Sequence, residues 1–340
     1  MIYPNVSIII LNYNGWKDTI ECLESIFQID YPNFNVIVVD NNSTDDSIKK
    51  LYEYANGQIK TSSAFFEYNI SNKPLEIIEF SKDFEISNFK IYKKKIAIKN
   101  FILIKNNRNC GFAEGNNIGI SCALKTGFPD YILLLNNDTI VKKDFLTKLI
   151  KKGDTNPNIG IIGPKVYYYD EPNRLQVAGG KINFWTGKSI LRGDREIDNG
   201  QYNKTEETDF ISGCCFLFKK ELIDKIGFLN SFYRCYWEEV DYCLSSKEKG
   251  YLTIYFPISS IWHKGSRSTN KNKGLMTYYM TRNMFWFMKK HTNIIQLISF
   301  LVYFFLFRFW YINTNFLLRK KNKDIKMFWK AIAKGIVYSH

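Results

Sequence analysis

Four short apolar runs, rich in β-branched residues, constrain this chain more than any other feature: VSIIIL (6–11), NVIVVD (35–40), NFILIK (100–105) and YILLLN (131–136). They are almost continuously apolar, so each predicts a strand buried on both faces. Segments with helical spacing lie between them. WKDTIECLESIF (16–27) repeats its apolar positions at Trp16, Ile20, Leu23 and Phe27. DDSIKKLYEYA (45–55) and AEGNNIGISCALKTG (113–127), the latter stopped by glycine, follow later strands. This alternation predicts an α/β fold, a mostly parallel central sheet with helices on both faces. Ligands of such sheets sit beyond the carboxyl ends of the strands. Those ends are NYN (12–14), DNNSTDD (40–46), NNRNCGFAEGNN (106–117) and NNDT (136–139). Asn and Asp are ordinary turn residues, so one such loop says little. Four at the same edge of one sheet predict a binding site.

Residues 57–99 break the rhythm, show no clean period and carry a basic KKK at 93–95. They read as an insertion with a hairpin of its own, and no chemistry is assigned to them. A strand at 159–170 opens the second half, followed by a loop-rich stretch to 207 and a strand running into a helix at 209–228. Further strands are expected at 251–256 and 261–266. Between these elements, RCYWEEVDYC (234–243) places Glu238, Glu239 and Asp241 within four positions. Acids in the first turn of a helix offset its macrodipole, which is the plain reading. The alternative is that one of them takes up a proton in a reaction.

The tail differs in character. IIQLISFLVYFFLF (294–307) is nearly all apolar, Arg308 interrupts it, and FWYINTNFLL continues to 318. A spanning helix needs about 20 apolar residues, and Arg308, Asn313 and Asn315 reduce that count. Lys289 and Lys290 precede the run, and Arg319, Lys320, Lys321 and Lys323 follow it. This pattern predicts an interfacial or re-entrant helix that meets an anionic membrane surface through 289–323. The alternative is a buried C-terminal core helix. A net charge of +14 attracts polyanions in general. The basic residues cluster around the apolar tail, however, and no nucleic-acid-binding module is present, so nucleic acid is not an expected partner. Seven cysteines with no C-x-x-C spacing predict reduced thiols in the cytoplasm rather than disulfides or a zinc site. The opening MIYPNVSIIILNYNG lacks the basic leader of a signal peptide.

Other nucleotide-binding classes fit less well. A dinucleotide-binding domain requires G-x-G-x-x-G after its first strand, where NYNGWKD has one glycine. TGKS (186–189) ends like a P-loop, but Ile182 stands where the first glycine is required. A sugar nucleotidyltransferase would open with a glycine-rich basic loop. It stays as an alternative, with a catalytically inactive membrane-associated glycan-assembly protein.

The ordered set VSIIILNYNG (6–15), VIVVDNNSTDDS (36–47), NRNCGFAEGNNIGI (107–120), YILLLNNDTIV (131–141), ISGCCFLFKKELIDKIGFLNSFY (211–233), WEEVDYCLSSKEKGY (237–251), WHKGSRS (262–268) and TRN (281–283) resembles the family 2 glycosyltransferases with the GT-A fold. The likeness is to their rhamnosyltransferase-like branch, and it covers almost everything except 57–99 and part of 185–207. It implies transfer of a sugar from a nucleoside diphosphate to a hydroxyl, with inversion. A departing diphosphate calls for a divalent cation or another electrophile. The resemblance implies Mg²⁺ or Mn²⁺ at Asp138, with His263 assisting. The family's D-x-D triplet reads Asn136-Asn137-Asp138 here, so only its last acid is present. Asp40 is implied to accept the N–H of a nucleobase, with Asn12, Asn14 and Asn42 around it. Gly111, Phe112, Gly115 and Asn117 are implied to approach ribose and diphosphate. Glu239 aligns with the family's base, with Glu238 and Asp241 orienting it or binding sugar hydroxyls. Asn230 stands where relatives often carry Asp.

The resulting expectation is a GT-A catalytic domain over 1–268, with a nucleotide-sugar half (1–141) and an acceptor half (142–268). A helical, basic and aromatic membrane-associating region follows over 269–340. The expected donor is dTDP-rhamnose or a UDP-sugar. The expected acceptor is a growing surface polysaccharide or lipid-linked glycan at the cytoplasmic face of the cell membrane.

Overall fold

Strands β1 (Val6–Asn12), β2 (Phe34–Asp40), β4 (Phe101–Lys105) and β5 (Tyr131–Asn136) lie parallel in the order β5-β1-β2-β4. The computed structural model describes residues 3–81, 101–127, 129–265 and 273–337. Alternate residues along a strand point to opposite faces, and here both faces are apolar. Ile8, Ile10, Val36 and Val38 pack with Ile20 and Leu23 of α1 (Trp16–Ile26) and Leu51 of α2 (Ser47–Ala55). Ile9, Ile37 and Val39 pack with Ala113, Ile120 and Ala123 of α3 (Phe112–Thr126).

Helix α3 lies close against β1. A Cβ at Gly115 would sit 2.5 Å from Leu11 Cδ1, and one at Gly119 would collide with Ile9 Cγ2. Overpacking of this kind costs about 1–3 kcal/mol, so Gly119→Ala is expected to destabilise the protein by that amount. Urea unfolding compared with wild type is the check; an unchanged midpoint would contradict the packing described.

The second half completes a mixed sheet of eleven strands among the described residues. β12 (Cys215–Lys219) runs antiparallel between β5 and β7 (Ile159–Tyr168), and β13 (Leu252–His263) pairs parallel with β7. The short β6 (Thr139–Val141) lies antiparallel against the end of β13, which brings Thr139 beside His263. The expected strands at 251–256 and 261–266 are one strand, with a register shift between Phe256 and Ser260. The loop-rich stretch carries β8 (Leu175–Val177), β9 (Gly180–Asn183), β10 (Lys188–Leu191) and β11 (Glu206–Glu207). TGKS lies across the β9–β10 turn and the start of β10. α4 (Phe145–Gly153), α5 (Glu221–Ile226) and α6 (Glu238–Glu248) complete this half.

In the insertion, β3 (Ile77–Ser81) joins the sheet edge parallel to β4, and no hairpin is present among the described residues. Phe65 stacks on Trp262 at 4.1 Å between ring centroids, so this segment leans on the strand that ends at His263. The KKK run lies outside the described residues, as do 266–268 of WHKGSRS and the boundary at 268/269.

Three helices end the described chain: α7 (Lys273–His291), α8 (Ile294–Leu318) and α9 (Asn322–Val337). A capping box of Asn293 and Gln296 starts α8. Arg308 does not break this helix, which passes through it in a π-helical turn, Phe304–Arg308. Asn313 does not face outward either. It is buried, and its Oδ1 accepts from Trp329 Nε1 of α9 at 3.0 Å. Two of the three residues that lowered the apolar count, Arg308 and Asn313, are thus accommodated by helix geometry and by a neighbouring helix. α8 spans 25 residues, long and apolar enough to cross a membrane, and only 11% of its most apolar window is buried. Ile295, Ile298, Leu306 and Trp310 are all exposed, which is not the pattern of a buried core helix.

Candidate active site

The register that pairs Asn12 with Asp40, and Leu11 with Asn136, sets the polar strand ends side by side. Asn12 is fully buried; its Nδ2 donates to Asp40 Oδ1 at 2.7 Å and to Ser43 Oγ at 3.1 Å. Asp40 also accepts from the Ser43 hydroxyl at 2.6 Å and from the Ser43 N–H, on Oδ2, at 2.9 Å. A carboxylate oxygen has two lone pairs, so Oδ2 keeps acceptor capacity for a ligand. Asn14 has φ of 50° and accepts the N–H groups of Thr44 and Asp45 at 2.7 and 3.2 Å. Asn42, with φ of 64°, is exposed on the rim of this loop.

Asn41 is a residue that sequence reasoning missed. Buried, it donates to Asn109 Oδ1 and Gly111 O at 3.2 and 3.1 Å. It accepts from Asn106 Nδ2 and Cys110 N at 3.1 and 3.0 Å. One amide therefore fastens the loop after β2 to the loop after β4. The sequence signal was only the first Asn in DNNST, indistinguishable there from a solvated turn.

The α3 segment meets the acidic motif directly. Gly111 has φ of 85°, and a Cβ there would lie 2.8 Å from the Arg234 carbonyl oxygen. That carbonyl accepts the N–H groups of Phe112 and Ala113, the first of α3, at 2.7 and 3.2 Å. Asn117 exchanges two hydrogen bonds with the Leu229 backbone, at 2.8 and 3.1 Å. Asn230 accepts from Phe232 N at 3.1 Å and so shapes the turn before the acids.

At the end of β5, Asp138 Oδ1 lies 3.0 Å from His263 Nε2, and Asn136 Nδ2 lies 3.3 Å from the same nitrogen. Asn137 turns away and donates to Thr19 Oγ1 at 2.9 Å. Burial raises the Asp138 carboxyl pKa, but the facing His263 outweighs it and holds the group below the usual carboxylate value. The other imidazole nitrogen, Nδ1, lies 2.6 Å from the Gln176 amide oxygen, an acceptor. A neutral ring with its proton on Nδ1 would leave Nε2 free, and a divalent cation set between Nε2 and the Asp138 carboxylate would then meet two electron donors in place of their direct contact. That arrangement fits a divalent cation. No group of three or more His, Cys, Asp or Glu able to hold a metal occurs among the described residues. Asp138 and His263 would therefore hold an Mg²⁺ or Mn²⁺ together with phosphate and water oxygens, as is usual for Mg²⁺. Gln176 was also missed, because nothing in LQV marks it.

The three acids have different surroundings. Asp241 faces α7: it accepts from Lys290 Nζ at 2.8 Å, His291 Nε2 at 2.7 Å and Tyr233 OH at 3.2 Å. Burial opposes its ionisation, but His291 and Lys290 prevail and keep its pKa low. Glu238 is buried, with no partner for Oε2. Burial and then the adjacent Glu239 push its pKa well above the usual value. Glu239 is half-buried and also has an unpartnered Oε2. Burial raises its pKa, moderated by its own N–H and those of Gly213 and Val240. A Cβ at Gly213 would lie 3.7 Å from Glu239 Cδ and 3.6 Å from Phe112 Cζ, so these groups share one wall. The next residue joins the two ends of the site. Cys214 O accepts from Asn136 N at 2.9 Å, and burial first, with smaller contributions from the Asp138 and Glu239 charges, pushes the Cys214 thiol pKa up.

Left-handed backbone introduces the acids: Arg234, Tyr236 and Trp237 have φ of 63°, 68° and 75°. Such conformations cost about 1–3 kcal/mol each in non-glycine residues and cluster at functional sites.

The sequence profile of Glycosyl transferase family 2 matches residues 7–69 and 81–227, more than half of the chain. The chain belongs to that family. Its curated relatives are distant. Low-salt glycan biosynthesis hexosyltransferase Agl10 of Haloferax volcanii is 24% identical over 143 residues, 42% of this chain and 44% of that protein. Galactofuranosyltransferase GlfT2 of Mycolicibacterium smegmatis is 22% identical over 196 residues, 53% of this chain and 30% of that protein. The chain thus matches less than half the length of each. Among solved structures, a mannosyltransferase from Pyrobaculum calidifontis in complex with GDP-Man and Mn²⁺ superposes with a TM-score of 0.56 at 14% identity. That match covers 99% of this chain and 88% of the other, and it shows the GT-A fold.

Proposed function

We propose that this family 2 protein is an inverting hexosyltransferase that moves a sugar from a nucleoside diphosphate to a hydroxyl. The observation that carries this reading is the connection through Gly213 and Cys214. Gly213 lies beside the carboxylate of Glu239, which has one unpartnered oxygen, and Cys214 O accepts from Asn136 N, two residues before Asp138; this chain of contacts supports the reading. In this reading Asp40 and Asn12, Asn14 and Asn42 take the base. The 111–117 segment and Asn136 to Asp138 face ribose and diphosphate. A bound Mg²⁺ or Mn²⁺ would neutralise charge growing on the diphosphate. Glu239 takes the acceptor's hydroxyl proton as its oxygen bonds to the anomeric carbon. The bond from that carbon to the diphosphate oxygen breaks, and the nucleoside diphosphate leaves with the electron pair. Glu239 must be ionised to act as a base, and its pKa stands above the ordinary 4.5. Transfer therefore rises with pH along a limb displaced to the alkaline side of that value.

The rhamnosyltransferase-like resemblance favours dTDP-rhamnose or a UDP-sugar as donor, and a surface polysaccharide or lipid-linked glycan as acceptor. A panel of dTDP-rhamnose, UDP-glucose, UDP-galactose and GDP-mannose with Mn²⁺, read by nucleotide release, tests the donor class; no turnover of any would count against transfer. We assign donor binding to 1–141, acceptor binding to 142–268 and membrane contact to 269–340.

The exposed apolar face of α8, with Lys289 and Lys290 before it and Arg319 to Lys321 after it, supports a place on an anionic membrane. Seven free thiols accord with its cytoplasmic face. Replacing Ile298, Leu306 and Trp310 together with serine is expected to release the protein from phosphatidylglycerol vesicles in co-sedimentation. Retained binding would contradict the α8 assignment.

A further inference from the structure

The TRN motif at 281–283 has no role in the reaction described above, yet its Arg282 and Asn283 side chains converge on the acidic loop. Asn283 is fully buried, and its Nδ2 lies 2.9, 2.9 and 2.8 Å from the carbonyl oxygens of Tyr233, Cys235 and Tyr236. Arg282 Nη2 donates to the carbonyls of Phe232 and Tyr233 at 2.9 and 3.0 Å, and its Nε donates to Asn283 Oδ1 at 2.8 Å. The guanidinium therefore also fixes which way the Asn283 amide faces. It stacks over the Trp286 ring at 4.0 Å. The remaining carbonyl of the stretch, that of Arg234, accepts the first N–H groups of α3. Every carbonyl from 232 to 236 is thus aimed at a partner, in the stretch where the backbone enters left-handed φ. Glu238 and Glu239 follow at once, in the first turn of α6.

Attachment of α7 does not require these polar groups. Met284, Phe285, Phe287 and Met288 are all buried and supply an apolar contact of their own. The Arg282–Asn283 pair serves one loop, and that loop sets the direction from which α6 begins.

We infer that Arg282 and Asn283 are positioning residues for Glu239: by holding the 232–236 carbonyls they fix the backbone that presents the base. α7 therefore belongs to the reaction centre as well as to the C-terminal helical region. The inference rests on Glu239 being the base, and the experiment separates the two claims.

Glu239→Gln, Asn283→Ala and Arg282→Gln are compared with wild type. The measurements are turnover of the fastest donor in the panel above, calorimetric binding of that donor's nucleoside diphosphate with Mn²⁺, thermal midpoint, and the pH profile of kcat. A displacement of about 1 Å in a reacting group can cost about 10²-fold in rate. Asn283→Ala is expected to lose about that factor in kcat, with unchanged nucleotide Kd and stoichiometry. Its acid limb should move to lower pH, because a loosened loop admits water to Glu239. Arg282→Gln, which keeps Asn283 in place, should show a smaller loss in the same direction and decides the matter if Asn283→Ala does not fold. If Glu239→Gln turns over normally, the base assignment fails and this inference with it. If Glu239→Gln is inactive but the folded clamp variants keep wild-type kcat and limb, the positioning role alone is overturned. It is also overturned if kcat falls only in proportion to a falling number of nucleotide sites, the mark of a purely structural defect.

Discussion

Glu239→Gln is expected to lower transfer by about 10²- to 10⁴-fold, the range that a positioned base contributes, while nucleotide affinity stays unchanged. The substitution keeps size and shape and removes only the ability to accept a proton. Donor binding should survive because Asp40, Asn12 and Asp138 lie on other elements and make no hydrogen bond to Glu239 among the described residues. Glu238→Gln is the matched control. Glu238 is 3% exposed, and burial with the adjacent Glu239 pushes its pKa up and disfavours the ionised form. An amide there resembles the form that burial favours, so activity should change little. The reverse outcome, with Glu238→Gln inactive and Glu239→Gln active, would move the base by one residue.

Asp138→Ala is the second large effect. It removes the carboxylate of the proposed two-residue cation site and leaves His263 Nε2 without its carboxylate partner. Loss of an outer-shell partner alone costs metal sites about 10- to 100-fold in affinity, so loss of a ligand should cost at least that. Calorimetry with UDP or dTDP, run with and without Mn²⁺, should show the Mn²⁺-dependent part of the affinity disappear. An unchanged Mn²⁺ dependence would remove Asp138 from the cation site.

What the sequence disclosed follows from what sets each feature. The β-branched runs at 6–11, 35–40, 100–105 and 131–136 are buried on both faces, so their composition alone revealed a covered parallel sheet. Once that sheet was assigned, the polar strand ends had to share one edge. Asn41 and Gln176 were invisible because their importance lies in partners distant in sequence: Asn109 and Gly111 for one, His263 for the other. The acids of WEEVD were visible as a group but not individually. Only the surroundings separate Asp241, tied to Lys290 and His291, from Glu238 and Glu239. Arg308 and Asn313 interrupt the apolar run in the sequence, but an apolar count does not show how a helix accommodates such residues. A π-helical turn accommodates one, and Trp329 covers the other.

The central claim is that Glu239 acts as a base in a single displacement rather than as a nucleophile in two. The anomeric configuration of the first-formed product decides this directly. Early-time proton NMR of the product from an α-linked nucleotide sugar should show a β-linkage. Net retention would mean a second displacement or a different attacking group, and would contradict the role assigned to Glu239.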